Sequence, residues 1–135
     1  MISNENQKLI DALQTPVKYH ELISEIVDNC RLYGKEKGYS PLSWKPVPNN
    51  KYFCAYKQGA SGRGEGAAII GFENRGEGLC LIFHHVVFDS KGLSVQTPSD
   101  LENRWRRVKL ERPFSEDEEK YLCKLAFQCF DRVFD

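Results

Sequence analysis

The stretch LCLIFHHVVF, from Leu79 to Phe88, constrains this chain more than any other. Leu79, Leu81, Phe83 and Val87 occupy one parity of it, and Cys80, Ile82, Val86 and Phe88 the other. Successive strand residues point to opposite faces, so a strand apolar at both parities is covered on both sides and belongs in the middle of a sheet. KYFCAYKQ and GAAIIGFEN before it, and LSVQT and RWRRVKL after it, read as further strands. Turns of the NRGEG (74–78) and DSKG (89–92) kind leave no room for helical crossovers, so the pairing is antiparallel.

Helices flank this region. Asn4 to Leu13 predicts a short helix capped by Ser3, expected at the periphery. A second is expected from Thr15-Pro16 toward Tyr33, stopping before Gly34, with Tyr19, Leu22, Ile23, Ile26, Val27, Cys30 and Tyr33 as one apolar stripe. The proline-rich stretch from Gly34 to Lys51 reads as an extended connection rather than an ordered element, anchored by Trp44. A last helix begins at Ser115 and Glu118, in capping-box spacing, and buries Leu122, Leu125, Ala126, Cys129 and Val133. With 135 residues there is room for one domain, 1–135. The expected class is α+β: an antiparallel β-meander of about five strands with N-terminal and C-terminal helices packed on it.

Nineteen basic residues balance nineteen acidic ones, so no global field steers the molecule toward nucleic acid or anionic lipid, and any charged site is local. The N-terminal stretch lacks the basic start and apolar core of a secretory signal, and no stretch is long and apolar enough for a membrane span. A cytoplasmic protein without membrane partners is expected. Cys30, Cys54, Cys80, Cys123 and Cys129 contain no Cys-x-x-Cys pair, which reads as reduced, mostly buried thiols.

The glycine-rich GASGRGEG, 59–66, invites a phosphate-loop reading, but no Lys-Ser/Thr follows it and a strand rather than a helix comes next. It reads as a hairpin loop in which Arg63 and free amides are a candidate anion nest. His84 and His85 are strand neighbours and cannot share one metal in regular geometry, so no metal site is assigned. Cys54, Cys80 or Cys123 with a histidine could build a nucleophile, yet no spacing singles out a pair. No catalytic residue and no cofactor is assigned.

The most uneven charge lies in ENRWRRVKLER, Glu102 to Arg112, where Arg104 to Arg112 carry five basic residues in nine positions. Alternation puts Trp105, Arg107 and Lys109 on one face and Arg104, Arg106, Val108 and Leu110 on the other. Arginine and tryptophan together contact phosphates, stack on bases or anchor a protein. The competing reading is an edge strand whose charges deter aggregation and pair with the acidic helix start. From Trp105, Val108 and Leu110 through SEDEE to Phe130, the chain resembles the closing strand and helix of the MmcQ/YjbR-like group of small α+β proteins. That resemblance implies a compact fold and a nucleic-acid-binding role, with no catalytic residues to carry over.

The expectation is therefore a non-enzymatic binding domain. It would engage nucleic acid or an acidic protein surface through Arg104, Trp105, Arg106, Arg107, Lys109 and Arg112, and reversing Arg106 and Arg107 to glutamate should abolish binding with the fold intact. The alternative is a protein-inhibiting partner such as an immunity or anti-defence protein. An enzyme with a Cys/His site comes third.

Overall fold

The structure, a computed structural model, describes residues 1–39, 42–57, 68–76, 78–84, 95–96, 105–111 and 113–134. The class is α+β. Three helices, α1 (Asn4–Asp11), α2 (His20–Lys37) and α3 (Glu116–Phe134), accompany six strands: β1 (Leu42–Val47), β2 (Tyr52–Lys57), β3 (Ala68–Arg75), β4 (Gly78–His84), β5 (Val95–Gln96) and β6 (Trp105–Lys109). They form one sheet in the order β1-β2-β3-β4-β6-β5. All pairs are antiparallel, so the meander runs through β4 and the last two strands then exchange places.

Two departures from the sequence pattern have simple causes. The stretch expected to be an unordered connection supplies β1, aligned with β2 from Leu42↔Lys57 to Val47↔Tyr52. β1 is the sheet's edge, the place where a strand tolerates Pro46 without losing an interior ladder bond. β6, in contrast, is not an edge strand, because it lies between β4 and β5. The reading of its charges as edge protection therefore does not hold.

The helices depart less. Ser3 caps α1, its Oγ accepting from Asn6 N at 3.2 Å. That helix is not peripheral: Leu9, Ile10 and Leu13 join the core, and fully buried Asn6 donates through Nδ2 to Ser24 Oγ (3.0 Å) and Asp28 Oδ1 (2.8 Å). The Thr15-Pro16 start resolves into a 3-10 turn, Val17–Tyr19, before α2. α2 runs through buried Gly34 and ends at Gly38, whose φ of 71° is the left-handed conformation that closes a helix end. At α3 the capping box forms as expected: Glu118 N donates to Ser115 Oγ (3.2 Å) and Ser115 N to Glu118 Oε1 (3.1 Å).

α2 and α3 pair with a constant offset. Asn29 donates to Cys123 Sγ, Tyr33 stacks on Phe127 at 4.2 Å, and Glu25 meets Glu119 one turn earlier. The helices therefore run parallel, with their positive N-terminal ends side by side, and acidic first turns offset that arrangement. Tyr33 and Tyr39 hydroxyls both donate to Asp131 Oδ1, at 2.6 and 2.7 Å, and tie the other end.

The helices cover one face of the sheet. Phe53 and Ala55 of β2, Ile70 and Phe72 of β3, Leu79, Leu81 and Phe83 of β4, and Val108 of β6 join Leu110 and the helical side chains in a single core. Trp44 packs against it, its ring 6.0 Å from Phe53 and under the Arg31 guanidinium. Among the described residues, no helix crosses a membrane by length and apolarity.

Candidate functional site

The alternate residues of the same strands define the opposite sheet face. The register sets Val47, Tyr52, Glu73, Cys80 and Lys109 in one row across β1, β2, β3, β4 and β6. The next row is Lys45, Cys54, Gly71, Ile82 and Arg107. The core to which the helices contribute lies on the other face. The centre of the alternate face is nonetheless closed to solvent, with Cys54, Cys80, Ile82 and Glu73 all buried, while Lys45 and Arg75 are exposed at its rim.

Glu73 organises the charges. Its Oε2 accepts from Arg75 Nε (3.2 Å) and Nη2 (2.7 Å), and its Oε1 accepts from Arg107 Nε. Burial by itself would raise this carboxyl; hydrogen bonds and charge from Arg107 and Arg75 outweigh it and hold the group below the usual carboxylate range. Cys80, directly opposite Glu73, sits in the field of Glu73, Arg107, Lys109 and Glu111, and burial together with Glu73 pushes its thiol up to about 11.

Beside this network lies a second polar group on β2. Tyr52 and Tyr56 share the parity of Cys54, with hydroxyls 3.2 Å apart, and the Lys45 Nζ lies 6.0 Å from the Tyr56 ring centre. Burial pushes the Tyr52 and Tyr56 hydroxyls up and the Cys54 thiol to about 11. Burial raises Cys123 as well, against a hydrogen bond from Asn29. A thiol held protonated is a poor nucleophile, and burial raises each of the three cysteines singled out as nucleophiles. Among the described residues, no group of three or more His, Cys, Asp or Glu could hold a metal ion. His20, by contrast, has its Nε2 3.0 Å from the Thr15 carbonyl oxygen.

The sequence-derived binding set is thus divided. Positions 105, 107 and 109 share the parity of the polar face, while Arg106 is paired with Phe83 in the register of the core-facing row. Arg107 is joined to Glu73 rather than standing alone. Arg63, His85, Arg104 and Arg112 lie outside the described residues. Sequence reasoning missed Glu73, Arg75, Tyr52 and Tyr56. The signal was a single glutamate ending an apolar strand, and two tyrosines flanking a cysteine at alternate positions, but neither says which partner strand it will meet.

The chain matches no family model, no curated protein and no solved structure. The polar face therefore has to be read from its own chemistry. It offers planar guanidinium donors, ammonium groups at the rim and tyrosine rings, a set suited to holding an anion and a flat ring together. A groove of about 450 Å³ between α2 and α3 is lined by Ile26, Cys123 and Phe127 together with Glu25 and Glu119. Burial and then the neighbouring Glu25 and Glu116 carboxylates raise the Glu119 group, and Lys120 and Lys124 line the same groove.

Proposed function

We propose that the chain is a non-enzymatic binding domain that takes single-stranded nucleic acid along the exposed rim of the polar sheet face, with β6 as its basic strand. The observation that supports this reading is the register. It brings Arg107 and Lys109 of β6 into rows with Tyr52 of β2 and Lys45 of β1, with position 105 at the same parity. Cations spaced across a sheet can track a phosphate backbone, and tyrosine rings supply stacking surfaces that do not depend on sequence. The similarity of Trp105 to Phe130 to MmcQ/YjbR-like proteins belongs to the same proposal.

Fluorescence anisotropy with mixed single-stranded RNA and DNA pools across a salt series tests it. Affinity should fall with salt, by a slope of about 0.7 per phosphate contacted on a single strand. Lys45→Gln should weaken binding and shorten the slope while the fold persists. Reversal of Arg107 is a poor probe, because it would set a second carboxylate against buried Glu73. Absence of binding at low salt overturns the proposal, and a stoichiometric protein partner retained in high salt would replace it with the protein-binding alternative.

A further inference from the structure

We propose that the groove between α2 and α3 is a second binding site, for a small organic cation whose ammonium sits between Glu25 and Glu119 and whose apolar body lies along Ile26, Cys123 and Phe127. The site is on the helical side of the molecule and is independent of the nucleic-acid reading.

Helix periodicity builds the groove. Residues four apart stand above one another on a helix, so Glu119, Cys123 and Phe127 form one row of α3, and Glu116, Lys120 and Lys124 the row beside it. α2 supplies Glu25 and Asn29 from the facing side, with buried Ile26 as the floor. The offset between the helices then sets three levels: Glu25 meets Glu119, Asn29 Nδ2 reaches Cys123 Sγ at 3.4 Å, and Tyr33 stacks on Phe127 at 4.2 Å. Carboxylates are thus gathered at one end of a space of about 450 Å³, and the wall beyond them is amide, thiol and aromatic ring. That volume falls within the range of small-molecule sites.

Charge decides the occupant. Three carboxylates and two ammonium groups line the groove. Lys120 and Lys124 are exposed, and their long stems let the charge stand in water, whereas Glu119 is half-buried in the same row as Cys123, which is 8% exposed. The sign that reaches into the groove is therefore negative. Two carboxylates that meet repel each other, and a cation between them is attracted by both. An ammonium suits that place, since it has three donors to share between two carboxylates. Among the described residues, a bare metal ion would find no set of three His, Cys, Asp or Glu ligands. The apolar wall, moreover, adds buried area only for a ligand with a hydrocarbon body.

Such a ligand competes with protons. Burial, then Glu25 and Glu116, raise the Glu119 carboxyl, so it keeps its proton to higher pH than an ordinary glutamate. Glu25, Glu116, Lys120 and Lys124 share the groove with it, and Lys18 and Glu111 line the cleft that it borders on its other side. Affinity for an ammonium should rise as pH climbs through the Glu119 titration, while the amine itself stays charged up to about pH 10. The test titrates the full chain with phenethylamine, read by NMR at the Asn29 side-chain amide and the backbone amides of α3. These signals should shift saturably, and phenethyl alcohol should bind about tenfold or more weakly, the cost of losing a charge-assisted contact. Glu25→Gln, at an exposed position, should weaken the amine by a similar factor. Glu119→Gln should do the same and also flatten the pH dependence, which a purely structural effect would not. Urea midpoints of both variants should not fall, because each removes a like-charge contact. No saturable shift, equal binding by Glu25→Gln, or wild-type affinity that ignores pH across the titration overturns the site. Tighter binding of phenylacetate than of phenethylamine would overturn it too, and would assign the groove to anions through the lysine row.

Discussion

Arg107 shows how one side chain can change its meaning between sequence and structure. In the sequence it is one of five cations in a basic run; in the fold it is the partner of a buried carboxylate. Arg107→Ala should therefore destabilise the protein by about 2 kcal/mol, less than the usual cost of stranding a buried charge because Arg75 still pairs with Glu73. Urea unfolding would show this as a lower midpoint, and an unchanged midpoint would mean that the pair contributes nothing. The Glu73 carboxyl also sets a pH dependence. Its folded pKa is lowered, so its stabilising contribution is complete above the unfolded carboxylate range and is lost as pH falls through the folded value. Thermal melts of wild type should decline on acidification in that window, and those of Glu73→Gln should decline less steeply. The basic character of this strand was legible from the sequence. Its division into a core-facing and a polar-facing half was legible too, from simple alternation. The glutamate that ties Arg107 was not, because the contact joins residues 34 positions apart and depends on the register of two intervening pairings.

At the scale of the elements, local signals were read well where the chemistry is local. The Ser115–Glu118 box and the Ser3 cap each involve atoms within one turn, and both form. β1 was missed because prolines and the absence of alternation outweigh any strand signal there, and only the neighbouring β2 edge makes a strand of it. Gly71 is another feature that the sequence leaves ambiguous. It lies between Cys54 and Ile82 in its row. A Cβ there would come within 2.7 Å of the Phe53 carbonyl oxygen and 3.3 Å of both Cys54 Cβ and Ile82 Cγ1. The obstacle includes backbone, which cannot swing aside as a flexible side chain would. Gly71→Ala should thus cost about 2 kcal/mol through overpacking, read as a drop in denaturant midpoint. A neutral result would mean that β2 and β3 can part slightly without loss.

For the molecule as a whole, the question is whether the helices and the sheet unfold together. The sequence placed α1 at the margin, because a short helix with three apolar residues is a weak signal by itself. In the fold, Ile10 and Leu13 belong to the same core as Phe53, Phe72 and Phe130, and Asn6 fastens the helix to α2 through buried hydrogen bonds. α1 is then part of the cooperative unit rather than an appendage that frays independently. Ile10 is 1% exposed, and Ile10→Ala should cost about 3 kcal/mol, within the range for truncating a buried isoleucine. The mode of unfolding matters as much as the amount. Trp44 and Trp105, both on strands, report from the sheet and far-ultraviolet circular dichroism mainly from the helices, so the two urea transitions should coincide in wild type and shift together in the variant. If Ile10→Ala left tryptophan emission unmoved while helical signal was lost early, α1 would be an independent element, and the sheet with α2 and α3 would stand without it.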